Sequence, residues 1–205
     1  MNEYDYLIEQ LGLLIGFLNV SNEDVYNQIK NHDQYDLGIT IEQLYNNSYS
    51  NFQNHVCTSA VLLGFSHMED FITKCIVKIL TAKPDKNNYK VAIITIKEKG
   101  DSLIKYMAEK KSRHMTFSEK IDFIEKNIEG IDPSLLADIK FTNDIRNCLM
   151  HNNGVADSRI NSKYHLGDKI TLSSYEVNSF GLKARALAKQ LWGEVENIHQ
   201  KKVNL

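Results

Sequence analysis

Proline occurs only twice in the 205 residues, at Pro84 and Pro133, so the residue that most effectively breaks a helix is nearly absent. Each proline reads as the boundary of an element, and the long stretches between them are free to be helical. Residues 52–82 carry the most persistent pattern. There Leu62, Phe65, Ile72, Ile76 and Ile79 return on one face at three- and four-residue intervals, the period of an amphipathic helix. Lys83 to Asn88, with Pro84 among them, are expected to end that helix.

The rest of the chain repeats the pattern in shorter pieces. Residues 3–19 place Tyr6, Leu7, Leu11, Leu14, Ile15 and Leu18 at helical spacing, and Ser21 to Asp24 suit the cap of a second helix over about 23–31. A loop follows, then a short helix from Thr40 to Asn46. Asn46 to Asn51, rich in Asn and Ser, is the most linker-like stretch, and it suggests a helical extension over 1–50 ahead of a main domain over 51–205. Residues 89–110 read as helix, although the β-branched run Val91 to Ile96 also suits a strand. Thr116 and Glu119 have capping-box spacing for a helix that Gly130 closes, and Asp132-Pro133 opens the next one. Residues 155–172 alternate and contain turn residues, which predicts a small β-hairpin or a structured loop. The last helix covers about 174–201. The predicted class is therefore all-α.

Composition limits the functions. With 42% hydrophobic and 24% charged residues the chain can bury an ordinary core, and a net charge of −2 lacks the Lys and Arg surplus of a protein that coats nucleic acid. A local basic patch is all that a few-nucleotide contact needs. Lys97, Lys99, Lys105, Lys110, Lys111, Arg113 and His114 offer one, although interleaved Glu98, Asp101 and Glu109 also fit a solvated helix face. Cys57, Cys75 and Cys148 are odd in number and form no Cys-x-x-Cys pair, so neither a disulfide framework nor a zinc site is suggested, and a reducing cytoplasm fits best. The acidic opening and the short apolar run Leu11 to Leu18, interrupted by Gly12 and Gly16, make a poor signal peptide and a poor membrane span. Phosphate-cradling glycine motifs are missing, Ser66 has no nucleophile-elbow glycines, and no metal-ligand set has a specific spacing. Tyr4, Tyr6, Tyr45 and Tyr49 suit ordinary packing better than base stacking.

Chemistry concentrates at Arg146-Asn147-Cys148-Leu149-Met150-His151, near the end of a helix-patterned stretch that Asn152-Asn153-Gly154 should stop. A histidine moves protons near neutral pH and an arginine holds a phosphate, and together these suffice for metal-free RNA cleavage. At about 100° per residue Arg146 and His151 lie roughly 140° apart around the axis. Asn143, Asn147 and His151 share one face, and the long arginine stem can bend round to a phosphate in the same groove. Taken singly, the histidine also reads as a helix cap and the arginine as a surface ion-pair partner. Yet Arg113, Arg146, Arg159 and Arg185 are the only arginines in a Lys-rich chain. Glu69 is the second residue of interest. It completes the apolar spacing of the long helix with a carboxylate, which when buried needs a cation, and Arg146 is the expected partner. Otherwise Met68 fills the stripe and Glu69 and Asp70 border it.

Asp144 to Val155 resembles the hallmark of HEPN-domain proteins, an Arg followed after four to six residues by a His, and the Asn directly after the Arg also fits. That resemblance implies an antiparallel all-helical bundle, and for many members a homodimeric endoribonuclease of toxin-antitoxin or phage-defence systems. Other members are inactive or serve as binding modules for a nucleotide, RNA or partner protein. The mechanism implied needs no metal or cofactor. His151 moves a proton at the ribose 2′-OH or the leaving oxygen, Arg146 neutralises the phosphoryl charge, Asn147 holds one of them, and a 2′,3′-cyclic phosphate results. Glu69 would be a supporting acid and Lys110, Lys111 and Arg113 would bind RNA. An antitoxin or other defence protein would be a further partner. Family toxins silenced by a nucleotidyltransferase carry a tyrosine one residue beyond the histidine. Asn153 stands there in this chain, which argues against tyrosine modification, though Tyr164 and Tyr175 lie downstream. A purely structural adaptor, with Arg146 and Glu69 as a buried pair, is the remaining alternative.

Overall fold

Helix α1, Ile41–Ala82, is a single element of 42 residues, about 63 Å long at the α-helical rise. It begins the main part of a computed structural model that describes residues 2–12, 41–82 and 101–203. After it come α2 (Asp101–His114), α3 (Phe117–Asn127), α4 (Pro133–His151) and α5 (Ser174–Val203), while residues 3–12 are also helical. Among the described residues there is no strand, and their fold is all-α. No described helix is long and apolar enough to cross a membrane.

Asn46 to Asn51 lie inside α1 and do not form the linker that their composition suggests. Each Asn or Ser costs a helix at most about 0.7 kcal/mol relative to Ala, a penalty that flanking helix on both sides can carry. The part of the helix expected over 3–19 beyond residue 12, the helix expected over 23–31, the turn at Lys83 to Asn88 and the ambiguous run Val91 to Ile96 lie outside the described residues.

Local signals set the other boundaries. The Thr116 hydroxyl accepts from the Glu119 amide at 3.3 Å, and the Glu119 carboxylate accepts from the Thr116 amide at 2.7 Å, a complete capping box for α3. Asp132 Oδ1 accepts from the Ser134 amide at 2.8 Å, and Pro133 is the first residue of α4. Ser173 and Glu176 repeat the reciprocal pattern at the start of α5, with bonds of 3.3 and 2.7 Å. At the end of α4 Asn153 and Gly154 take φ of +50° and +72°, and the Gly154 amide returns to the Cys148 carbonyl at 3.0 Å. Of the two forms expected for residues 155–172, the structured loop is present. A lone antiparallel bridge joins Val155 to Lys169, a 3₁₀ turn covers Ser158–Ile160, and Ala156, Ile160, Ile170 and Leu172 anchor it by burial.

Two compact units arise, each with its own core. The first comprises Met1–Leu7, Met68–Lys140 and Ala184–Leu205, the second Ile8–His67 and Phe141–Lys183. In the first, Met68, Ile72, Ile76, Ile121, Ile124, Ile139 and Leu187 are fully buried, and Phe71 packs against Trp192 with ring centroids 6.2 Å apart. In the second, Phe65, Cys57, Cys148 and Ile160 are fully buried, and Phe65 stacks on Phe180 at 6.4 Å. There the side chain of Asn54 accepts from the Leu172 amide at 3.0 Å, and Gln53 donates to Ser174 at 3.1 Å, tying α1 to the loop and to the start of α5.

Candidate functional site

Arg146 sits in the second unit, half-buried, on a helix whose Ile145 and Cys148 face the core. Its guanidinium carbon lies 5.7 Å from the centre of the Phe65 ring, and Nη1 donates to Asn147 Oδ1 at 3.2 Å. A cation over an aromatic face is attracted by the ring quadrupole. The ring itself is fully buried, so the platform is rigid. Asn147 therefore holds the arginine and not the histidine, and most of the guanidinium donors stay available. Among the described residues Arg146 has no carboxylate partner. Phe65 is a member of the site that periodicity reads only as core; nothing in its spacing marks the cation above it.

His151 is the last residue of α4 and is exposed, and among the described residues its side chain makes no hydrogen bond or ion pair. Met150 beside it is 50% exposed, while Asn143 and Asn147 are half-buried. The chain turns immediately afterwards. Asn153 adopts left-handed backbone, where Asn is far better tolerated than a bulky aromatic. The Asn152 side chain donates to the Val155 carbonyl at 2.7 Å, and Lys169 Nζ donates to the Asn153 carbonyl at 2.5 Å. The turn after the histidine is thus clamped from both sides of the loop.

Glu69 belongs to the first unit and takes a different cation from the one the sequence suggests. Its Oε1 accepts from Lys120 Nζ at 2.8 Å, and the Lys120 side chain is only 7% exposed. Met68, fully buried, fills the apolar stripe, and Glu69 lies at its border with Asp70, which pairs with Lys74 at 2.8 Å. Lys110, Lys111, Arg113 and His114 are exposed along the C-terminal part of α2 in the same unit, with Arg113 3.9 Å from Glu109. Lys97 and Lys99 of the proposed basic patch lie outside the described residues. The first unit also holds a cavity of about 490 Å³ lined in part by Lys74, Lys78, Lys105 and Arg113 with Glu3 and Asp70. Its charges largely cancel in pairs.

The three cysteines are free and buried. Burial pushes the thiols of Cys57, Cys75 and Cys148 up, which disfavours the reactive thiolate. Beside Cys148, Arg159 forks onto Asp157, with Nε–Oδ1 at 3.1 Å and Nη2–Oδ2 at 2.6 Å. That guanidinium holds the Asp157 carboxyl well below the usual carboxylate range. Among the described residues no group of three or more His, Cys, Asp or Glu is placed to hold a metal ion. Comparison with protein-family models, with curated proteins and with solved structures gives no match.

Proposed function

We propose that the chain is a HEPN-like, metal-independent endoribonuclease acting as a homodimer in a defence or toxin setting within a reducing compartment. One observation carries this reading. Arg146 is braced by Phe65 and Asn147, has no carboxylate partner among the described residues, and stands five positions ahead of an exposed histidine whose side chain pairs with no described residue. A structural arginine is ordinarily neutralised, because burial of an unpaired charge is costly. One held in place with open donors is suited to an anion that is not part of the chain.

In the proposed reaction the ribose 2′-oxygen attacks the adjacent phosphorus while the bond to the 5′-oxygen breaks, leaving a 2′,3′-cyclic phosphate and a 5′-hydroxyl. Arg146 offsets the negative charge that gathers on the phosphoryl oxygens, and His151 accepts the 2′-OH proton or supplies one to the leaving 5′-oxygen. Asn147 sets the direction of the guanidinium. Lys110, Lys111 and Arg113 on α2 are proposed to steer the RNA backbone.

The test is cleavage of single-stranded RNA in excess EDTA by wild type, Arg146→Ala and His151→Ala, with product ends analysed. Wild type is expected to cut, to leave cyclic phosphate ends and to spare DNA, which has no 2′-OH, while each variant loses at least about 100-fold in rate, the low end for a general acid-base group. Undiminished cleavage by His151→Ala would remove the proposed chemistry. Binding of RNA with no cleavage by any of the three would assign a binding module instead.

A further inference from the structure

The loop that follows α4 carries three long cations, Arg159, Lys163 and Lys169, and their surroundings differ. Arg159 is neutralised by Asp157. Lys163 is neutralised by Glu176. Lys169 is exposed and has no carboxylate partner among the described residues. Its ammonium is held in position nevertheless, by donation to the Asn153 carbonyl at 2.5 Å and by the backbone bridge between its own residue and Val155. Asn153 lies two residues past His151, at most about 7–8 Å away along two Cα–Cα steps. An ammonium has three donors, and a single carbonyl uses one of them.

We infer that Lys169 is a further RNA-binding residue, contacting a backbone phosphate beside the one engaged by Arg146. The inference rests on the reading of the Arg146–His151 segment as an RNA site. Of the loop cations and Arg146, the two without a carboxylate partner among the described residues are those at the motif helix and at its stop. This distribution suits a polyanion that crosses the end of α4. A purely capping lysine would also sit on a carbonyl near a helix C-terminus. The two roles differ in what charge removal does to binding.

The experiment uses the full chain and a single-stranded oligoribonucleotide with 2′-O-methyl riboses, which cannot undergo 2′-oxygen attack. Binding is followed by fluorescence anisotropy over a salt series for wild type, Lys169→Gln, Lys169→Arg and Arg146→Ala. Gln keeps a donor for the Asn153 carbonyl and loses the charge. Lys169→Gln is expected to bind several-fold more weakly, with the slope of log K against log salt shallower by about 0.7, the loss of one phosphate contact to a single strand. Lys169→Arg should retain the wild-type slope. If wild type binds and Arg146→Ala lowers the slope while Lys169→Gln leaves it unchanged, Lys169 only caps the helix and the inference is overturned. If wild type shows no RNA binding, the site reading fails and takes the inference with it.

Discussion

At the scale of single residues, the decisive partners are ones that spacing does not reveal. Lys120 is nearly buried and lies against Glu69, so each charge depends on the other. Removing the carboxylate orphans an ammonium with little access to water, whereas removing the lysine leaves a carboxylate that is 31% exposed. Glu69→Ala is therefore expected to destabilise the fold by about 3 kcal/mol and Lys120→Met by about 1 kcal/mol, with a favourable coupling in the double variant. Urea unfolding of the double-mutant cycle measures all three, and equal costs for the two single changes would contradict the asymmetry. Asp157 gives a pH signature. Its carboxyl is held below the unfolded value by Arg159, so its contribution is complete above about pH 4 and is lost as the solution is acidified towards the folded value. Asp157→Asn should thus be less stable than wild type at neutral pH, with the gap closing below about pH 4. A constant gap across an acid titration of Tm would show that Arg159 does not act through this charge.

Caps and stops carry the argument at the scale of elements. The Thr116–Glu119 box and the Asp132-Pro133 start are local hydrogen-bonding devices, and both form as their residue types predict. Thr116→Ala should cost about 1 kcal/mol in unfolding free energy, the usual price of a lost N-cap. Gly154 has φ of +72°, and a Cβ there would meet Leu149 and Lys169 side-chain atoms at 3.9 Å, an ordinary contact. The cost of Gly154→Ala is therefore conformational, about 1–2 kcal/mol. Because Gly154 closes the turn that follows His151, under the proposed endoribonuclease activity the same change should reduce RNA cleavage more than a Thr116→Ala variant of equal stability does. Equal losses of activity would mean that the turn does not shape the site. Helix α1 shows the converse. Its Asn- and Ser-rich stretch reads as a linker because each residue has a weak helix preference, but no proline or glycine stands there to stop a helix already under way.

At the scale of the molecule, α1, α4 and α5 each supply residues to both compact units. Unfolding either core removes order from helices that the other one needs. Fluorescence of Trp192, the sole tryptophan, and far-UV ellipticity should therefore report one coincident transition in denaturant, and separated transitions would mean that the units melt independently. Phe65→Ala is expected to cost about 3–5 kcal/mol as a core cavity, and also to loosen Arg146 above it. Under the proposed dimeric enzyme, mixing inactive Arg146→Ala and His151→Ala chains restores part of the activity if a site takes its arginine from one copy and its histidine from the other. No recovery on mixing would assign both groups of a site to one copy.

The sequence by itself determined what depends on neighbours a few residues apart. The helical class, the α3 capping box, the Pro133 start, the stop after His151 and the Met68-or-Glu69 ambiguity were all legible, because caps and periodicity act within one or two turns. Only the tertiary structure decided the rest. It chose Met68 for the stripe, gave Glu69 to Lys120, set Arg146 over Phe65, and left Lys169 on the Asn153 carbonyl. These pairings join residues 16 to 81 positions apart in the chain, such as Asn153 with Lys169 and Phe65 with Arg146. Which distant side chains meet is settled by packing and by the need to partner buried charge, and no local spacing encodes either.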